Sequence, residues 1–284
     1  MSAEFPRTNV GGVSLPRILM GTNWLMGYSH RSPAADKGIK NRYSTPESYL
    51  PVLEAYLRYG IDAIMGPFSG DELATAAIKY AEDKLGKKIT IIDTPYFNVD
   101  DTPEGRREAE AAIKKSREIG STFCLVHHAC AEQLVNKNKR TIERLPDYLS
   151  MIRDNGLIPG LSAHMPELVL YSDANEYDVE TYIQIFNCMG FLMQVEVESV
   201  AEIIKYAKKP VMTIKPFAAG RTTPFVGLTF SWNAIRDCDM ITIGAGSADE
   251  VIEDVEMSLA ILERRLPDIK SRNSPAKQEI LGHK

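Results

Sequence analysis

Short apolar segments alternate along the chain with longer stretches in which apolar positions have helix-like spacing. Continuous apolar runs of this length are typical of strands that are buried on both faces, as in a parallel sheet covered by helices. The predicted strands are residues 15–23, 62–68, 89–97, 122–128, 157–164, 182–187, 210–217 and 240–247. Eight such units in 284 residues predict an α/β fold, a single (β/α)8 TIM barrel.

The remaining segments complete one predicted domain over residues 1–284. Within residues 1–14, the stretch 5–14 predicts a short β-hairpin that covers the bottom of the barrel. The long polar stretch 24–47 after the first strand predicts a loop of the kind that covers binding sites. Residues 267–284 form a polar C-terminal extension, and no shift in composition indicates a domain boundary.

Composition narrows the classes of function. Hydrophobic residues make up 44% and charged residues 25%, as in ordinary globular proteins. The net charge of −5 disfavours a nucleic-acid partner, and no apolar run is long enough to cross a membrane. The chain has neither a signal-peptide pattern nor cysteine pairs with metal-site spacing. We therefore expect a cytoplasmic protein with a small-molecule substrate, and homo-oligomers remain open.

Barrels of this class place their chemistry at the carboxyl ends of the strands. Asp93, His164 and the pair His127 and His128 end three neighbouring predicted strands, so we expect these groups to converge. Because side chains alternate along a strand, only one of the two adjacent histidines would face inward. One carboxylate and two imidazoles can exchange protons or bind a divalent metal such as Zn²⁺ or Mn²⁺, with Asp93, His128 and His164 as its ligands.

Lys215 lies near the end of the seventh predicted strand, among apolar neighbours. A lysine in this position can form a Schiff base, stabilise an oxyanion or anchor an anion, and a salt bridge to Asp93 or another inner carboxylate is the alternative. Other polar residues at strand ends or in neighbouring loops are candidate substrate contacts. They are Asn23, Tyr28, His30, Tyr96, Asn187 and Arg221.

Several segments, taken in chain order, resemble the aldo-keto reductase superfamily. They are GGVSLPRILMGTN, YGIDAIMGPFSGDELATAAIK, TFCLVHHAC, LIPGLSAHMPELV, YIQIFN, VMTIKPFAAGR and ITIGAGSADEVIEDVE. The resemblance covers nearly the whole barrel and implies a nicotinamide nucleotide as cofactor, with a catalytic histidine at the end of strand 4. It implies that the strand 6 glutamine supports the nicotinamide and that strands 7 and 8 hold the cofactor phosphates. The positions so assigned are Gln184, Gly244, Gly246 and Ser247.

The chain departs from that family at its catalytic positions. Met65 stands near the position of the family's strand 2 aspartate, no tyrosine follows it, and strand 3 ends in Asp93 instead of lysine. The usual proton donor to a developing alkoxide is therefore missing. Acidic residues within 249–254 would repel the 2′-phosphate of NADP, which disfavours NADP and leaves NAD open.

Three functional hypotheses follow. The leading one is an isomerase, lyase or hydrolase that acts by acid–base chemistry, with or without a metal ion, on a small polar carbonyl or sugar-like substrate. The alternative is an NAD(P)-dependent oxidoreductase with a variant active site. The third hypothesis is a barrel without catalytic activity that serves as a binding protein.

Overall fold

Eight parallel strands form a closed barrel in the computed structural model, which describes residues 4–269. The strands of the chain are β1 (Arg7–Val10), β2 (Val13–Pro16), β3 (Ile18–Gly21), β4 (Ala63–Gly66), β5 (Thr90–Asp93), β6 (Phe123–Val126), β7 (Val135–Asn136), β8 (Thr141–Ile142), β9 (Ile158–Ala163), β10 (Thr181–Ile185), β11 (Val211–Ile214) and β12 (Met240–Ile243). Strands β3 to β6 and β9 to β12 make the barrel, and β12 pairs with β3 to close it. The predicted (β/α)8 fold is confirmed.

Helices occupy the connections between the barrel strands. They are α1 (Asn23–Met26), α2 (Pro33–Arg42), α3 (Pro46–Leu57), α4 (Glu72–Leu85), α5 (Pro103–Glu118), α6 (His128–Ala131), α7 (Leu145–Asp154), α8 (Glu167–Ala174), α9 (Val197–Tyr206), α10 (Pro224–Ala234) and α11 (Ala248–Leu262). The predicted loop at 24–47 contains most of α1 and all of α2, and Ser32 caps α2 by accepting the Ala35 N–H at 3.1 Å.

Of the predicted extension, residues 270–284 lie outside the described residues. No helix within 4–269 has the length and apolar character that crossing a bilayer requires.

The predicted N-terminal hairpin is also confirmed. Strand β1 pairs antiparallel with β2, and Val10 stands opposite Val13. Gly11 and Gly12 have φ angles of 55° and 84° at the turn, a backbone conformation that glycine adopts at little cost. Val10 and Leu15 are fully buried in the apolar cluster inside the barrel, so the hairpin contributes to its core.

Side chains of the barrel strands alternate between the barrel interior and the layer beneath the helices. Ile92 and Ile183 belong to the interior cluster, whereas their neighbours Ile91 and Tyr182 pack in the outer clusters against the helices. This alternation, with a period of two residues, decides which residue at the end of each strand reaches the interior.

Candidate functional site

A cavity of about 850 Å³ opens at the carboxyl ends of the barrel strands. Its wall combines histidines from three connections, one lysine, and the loops that follow β3, β11 and β12. The predicted site residues that line it are Asn23, Tyr28, His30, His127, His128, His164, Lys215, Arg221 and Gly244. The structure therefore brings most of the predicted residues together, and their functional roles remain predictions.

Three histidines form a continuous stack on one side of the cavity. The rings of His128 and His164 lie 3.9 Å apart between centroids, nearly parallel, and the ring of His127 lies 4.3 Å from that of His128. Contrary to the expectation from strand alternation, both adjacent histidines line the cavity. The reason is that β6 ends at Val126, His127 is the N-cap of α6 with φ and ψ of −57° and 143°, and His128 begins that helix, so strand alternation no longer applies.

The imidazoles of this stack are uncharged at neutral pH. Burial, together with the positive charges of neighbouring groups, lowers the pKa of His127 to about 4 and that of His164 to about 3. Burial also lowers the pKa of His128, although the Glu132 carboxylate opposes this shift. Uncharged imidazoles can accept protons or coordinate a metal ion.

Lys215 faces the same cavity from the end of β11. Burial alone lowers its pKa from 10.5 to about 8, and its Nζ has no hydrogen bond or ion pair within residues 4–269. The predicted alternative, a salt bridge to Asp93 or another inner carboxylate, is therefore wrong. Lys215 also has a φ angle of 61°, a left-handed conformation that is unusual for a residue with a side chain and that concentrates at functional sites.

Cationic and aromatic side chains surround the mouth of the cavity. The guanidinium of Arg221 lies 4.0 Å from the ring centroid of Phe191, and that of Arg31 lies 5.8 Å from Trp24. The pKa of His30 is lowered by burial and by the charges of Lys215 and Arg221, which places these groups near one another. This part of the cavity is suited to an anionic ligand.

Acidic residues also line the cavity. Glu250, Glu253 and Asp254 line it beside Gly244. The Glu250 Oε2 accepts the N–H of Gly246 at 2.7 Å, and Ser247 Oγ accepts the N–H of Glu250 at 3.2 Å. Ser247 is thus the N-cap of α11, and the Glu250 carboxylate occupies the N–H of the residue before it. The predicted phosphate-binding turn thus has its Gly246 N–H occupied by a carboxylate of the chain itself, which does not fit a bound phosphate.

Asp93 does not belong to the cavity, and its predicted convergence with the histidines is wrong. Its fully buried carboxylate accepts hydrogen bonds from the Ser116 hydroxyl on α5 and from the Ser69 N–H. Because Ile92 faces the interior, strand alternation turns Asp93 outward beneath the helices. Burial raises the pKa of this carboxyl, while the bonds from Ser116 and Ser69 lower it.

Three more predicted residues lie outside the cavity wall. Asn187 is fully buried, and its side chain bonds to Phe191 O at 3.0 Å and to the N–H groups of Met189 and Phe191, so it shapes a loop instead of contacting substrate. Gln184 is buried in the outer layer, where its Nε2 donates to Ile185 O at 3.2 Å. Tyr96 is 66% exposed and packs edge-on against His127.

Glu132 is a site residue that the sequence analysis missed. Its Oε1 lies 4.0 Å from Nδ1 of His128 and accepts the backbone N–H groups of His164 and Met165, each at 2.8 Å. The signal was available, because His128 and Glu132 stand four residues apart in one helical turn. Trp24 also lines the cavity.

Comparison with known proteins supports the fold assignment. No family model and no curated protein matches the chain. A solved protein from Pseudomonas aeruginosa that is assigned to the aldo-keto reductases is similar with a TM-score of 0.66, at 12% identity, over 92% of this chain and 98% of that chain. An aldose reductase from Giardia lamblia has a TM-score of 0.54, at 15% identity, over 89% of each chain. The chain thus has the fold of the aldo-keto reductases.

Proposed function

We propose that this protein is an enzyme that acts on a small carbonyl compound bearing an anionic group. The observation that carries the proposal is Lys215, a partly buried amine that faces the cavity without a carboxylate partner within residues 4–269. Leaving an ammonium group partly buried and unpaired is unfavourable for stability. Groups of this kind are concentrated at functional sites, because a ligand supplies the missing interactions.

The proposed chemistry is enolisation. The Lys215 ammonium would donate a hydrogen bond to the carbonyl oxygen and stabilise the negative charge that develops there. One of the uncharged imidazoles, that of His128 or His164, would accept the proton that leaves the adjacent carbon. A bound anion would also raise the pKa of these imidazoles and make them stronger bases. Enolisation is a first step that isomerases and lyases share.

The anionic group of the substrate would lie at the mouth of the cavity. Arg31, Arg221 and His30 line the cavity, and the carboxylate of Asp36 near His30 already accepts hydrogen bonds from the N–H and hydroxyl of Ser29. A carboxylate or phosphate on the substrate would therefore meet positive charge. We expect an anionic carbonyl compound to react faster than a neutral one of the same shape.

Proton exchange measures the enolisation step by itself, so this test does not require the complete reaction to be known. Chelator-treated protein is incubated in D₂O with pyruvate or with hydroxyacetone, its neutral counterpart, and loss of the methyl signal is followed by ¹H NMR. We expect exchange that is faster for pyruvate and that falls about 100-fold or more in Lys215→Met. The matched control is Lys79→Met, an exposed lysine of α4. If the wild type exchanges both compounds no faster than Lys215→Met, the proposal is refuted.

A nicotinamide-dependent oxidoreductase is the second candidate function. It is favoured by the likeness to solved aldo-keto reductases and by the extension of the cavity past Gly244 to the first turns of α11. The hydrogen bond of Glu250 to the Gly246 N–H and the neighbouring acidic residues weigh against it, and against NADP most strongly. We therefore place it second and expect NAD to be its nucleotide.

Tryptophan fluorescence separates the two candidates. Trp24 lines the cavity, whereas Trp232 is only 6% exposed and packs against Phe5 and Arg17. Saturable quenching by NADH that disappears in Trp24→Phe would support the oxidoreductase. Absence of quenching by NADH and NADPH, together with exchange of pyruvate protons, would support the non-redox enzyme.

A further inference from the structure

Two imidazoles and one carboxylate converge beside the cavity. The ligand atoms of His128, Glu132 and His164 all lie within 4.8 Å of one another. His128 and Glu132 come from one helical turn after β6, and His164 follows β9, the neighbouring barrel strand. We propose that these three residues bind a divalent transition metal ion, for which Zn²⁺ is the best match.

Backbone hydrogen bonds hold the carboxylate of Glu132 in place. Its Oε1 accepts the N–H groups of His164 and Met165, each at 2.8 Å, and thereby ties the turn after α6 to the end of β9. Its Oε2 has no hydrogen bond within residues 4–269 and is available to an ion. Hydrogen bonds that orient a ligand in this way are typical of metal sites in proteins.

The donor set matches a zinc site with an open position. Two histidines and one carboxylate are the protein ligands of several catalytic zinc ions, and the fourth position is left to water or substrate. Zinc–ligand bonds of about 2 Å require ligand atoms about 3.5 Å apart, so the side chains would close by about 1 Å. His127 is not part of this set, because its Nδ1 accepts the Ala129 N–H at 3.2 Å.

The charge of Lys215 predicts the direction in which the affinity for Zn²⁺ changes when this residue is replaced. Lys215 and the three histidines line the same cavity, so its ammonium would repel a bound cation. Lys215→Met should therefore bind Zn²⁺ more tightly than the wild type. A bound ion would occupy the lone pairs of His128 and His164, so metal binding and proton transfer to these imidazoles exclude each other, and binding of the metal does not rest on the proposed function.

Calorimetric titration of the chelator-stripped full-length chain with ZnCl₂ tests the site in the absence of substrate. We expect one ion per chain and at least a tenfold loss of affinity in Glu132→Gln and in His164→Ala. Glutamine can still accept the two backbone N–H groups, so Glu132→Gln should fold. The matched control is Glu108→Gln, which removes an equal charge from an exposed position on α5.

A second readout reports on the ligands themselves. Substitution with Co²⁺ should give visible absorption bands of four-coordinate geometry in the wild type, and these bands should change in His164→Ala. The proposal is overturned if the wild type shows no saturable Zn²⁺ binding, or if Glu132→Gln and His164→Ala both bind with unchanged affinity. Metal binding without exchange of pyruvate protons would support this site while refuting the proposed enolisation.

Discussion

Replacing Lys215 with methionine should make the protein more stable while it removes the proposed activity. Methionine has a similar length and no charge, so it can fill the same space beside the histidine stack. The folded protein currently holds an ammonium group that is partly buried and has no partner within residues 4–269. Removing that charge removes an unfavourable contribution to folding.

The size of the effect follows from the pKa of Lys215. Burial lowers it from 10.5 to about 8, which corresponds to about 3 kcal/mol at pH values below 8. In a chain of this length, that difference raises the melting temperature by about 6 °C. Because the unfolded chain keeps the proton up to about pH 10.5, the wild type regains stability as the pH rises from 8 to 10.5.

Urea unfolding at pH 7 and at pH 10 measures both features. We expect Lys215→Met to show the full gain in the free energy of unfolding at pH 7 and to lose most of this gain at pH 10. Lys79→Met should have the same free energy of unfolding as the wild type at both pH values. A variant less stable than the wild type at pH 7 would contradict the reasoning. So would an advantage that does not change with pH, because it would then come from packing rather than from charge.

Three further substitutions separate structural roles from functional ones. Asp93→Asn should leave Zn²⁺ affinity and pyruvate exchange within about twofold of the wild type, since the carboxylate lies outside the barrel wall. A larger loss would show that Asp93 contributes to the site. Ser247→Ala should lower the free energy of unfolding by about 1 kcal/mol in urea titrations, because it removes the cap of α11. Ala219→Gly should raise it by up to about 1 kcal/mol, because the residue has a φ angle of 56°; no gain would show that this turn is unstrained.

The fold was predictable because its signal is repeated along the chain. Each barrel strand is an apolar run that must be buried on both faces, and eight of these runs alternate with amphipathic stretches. Local signals agree with this pattern: Thr102 followed by Pro103 is typical of a helix start, and at the start of α5 the Thr102 hydroxyl accepts the Gly105 N–H at 3.0 Å. Errors of one or two residues at single strand ends do not change such a fold.

The site was less predictable because it depends on single residues. Whether Asp93 faces the cavity or the helices depends on one step of strand alternation, and the sequence does not fix that step at the end of β5. The prediction that only one of His127 and His128 faces inward failed for a related reason. The chain changes from strand to helix here, because β6 ends at Val126 and α6 begins at His128. Glu132 was missed because its role comes from contacts with residues 164 and 165, which are distant in sequence.

The arrangement of charge explains how this barrel can share a fold with reductases and still support different chemistry. The outer clusters and the strand pairing fix the backbone, and most of their residues do not line the cavity. The cavity wall carries uncharged imidazoles and one amine, Asp93 stands at the strand end where the resemblance places the family's lysine, and Glu250 occupies the N–H of the phosphate turn. Changes at so few positions leave the barrel intact, because sites on this fold are built from strand ends and loops. Function must therefore be argued from Lys215 and the histidine stack, since the fold alone is compatible with either of the proposed reactions.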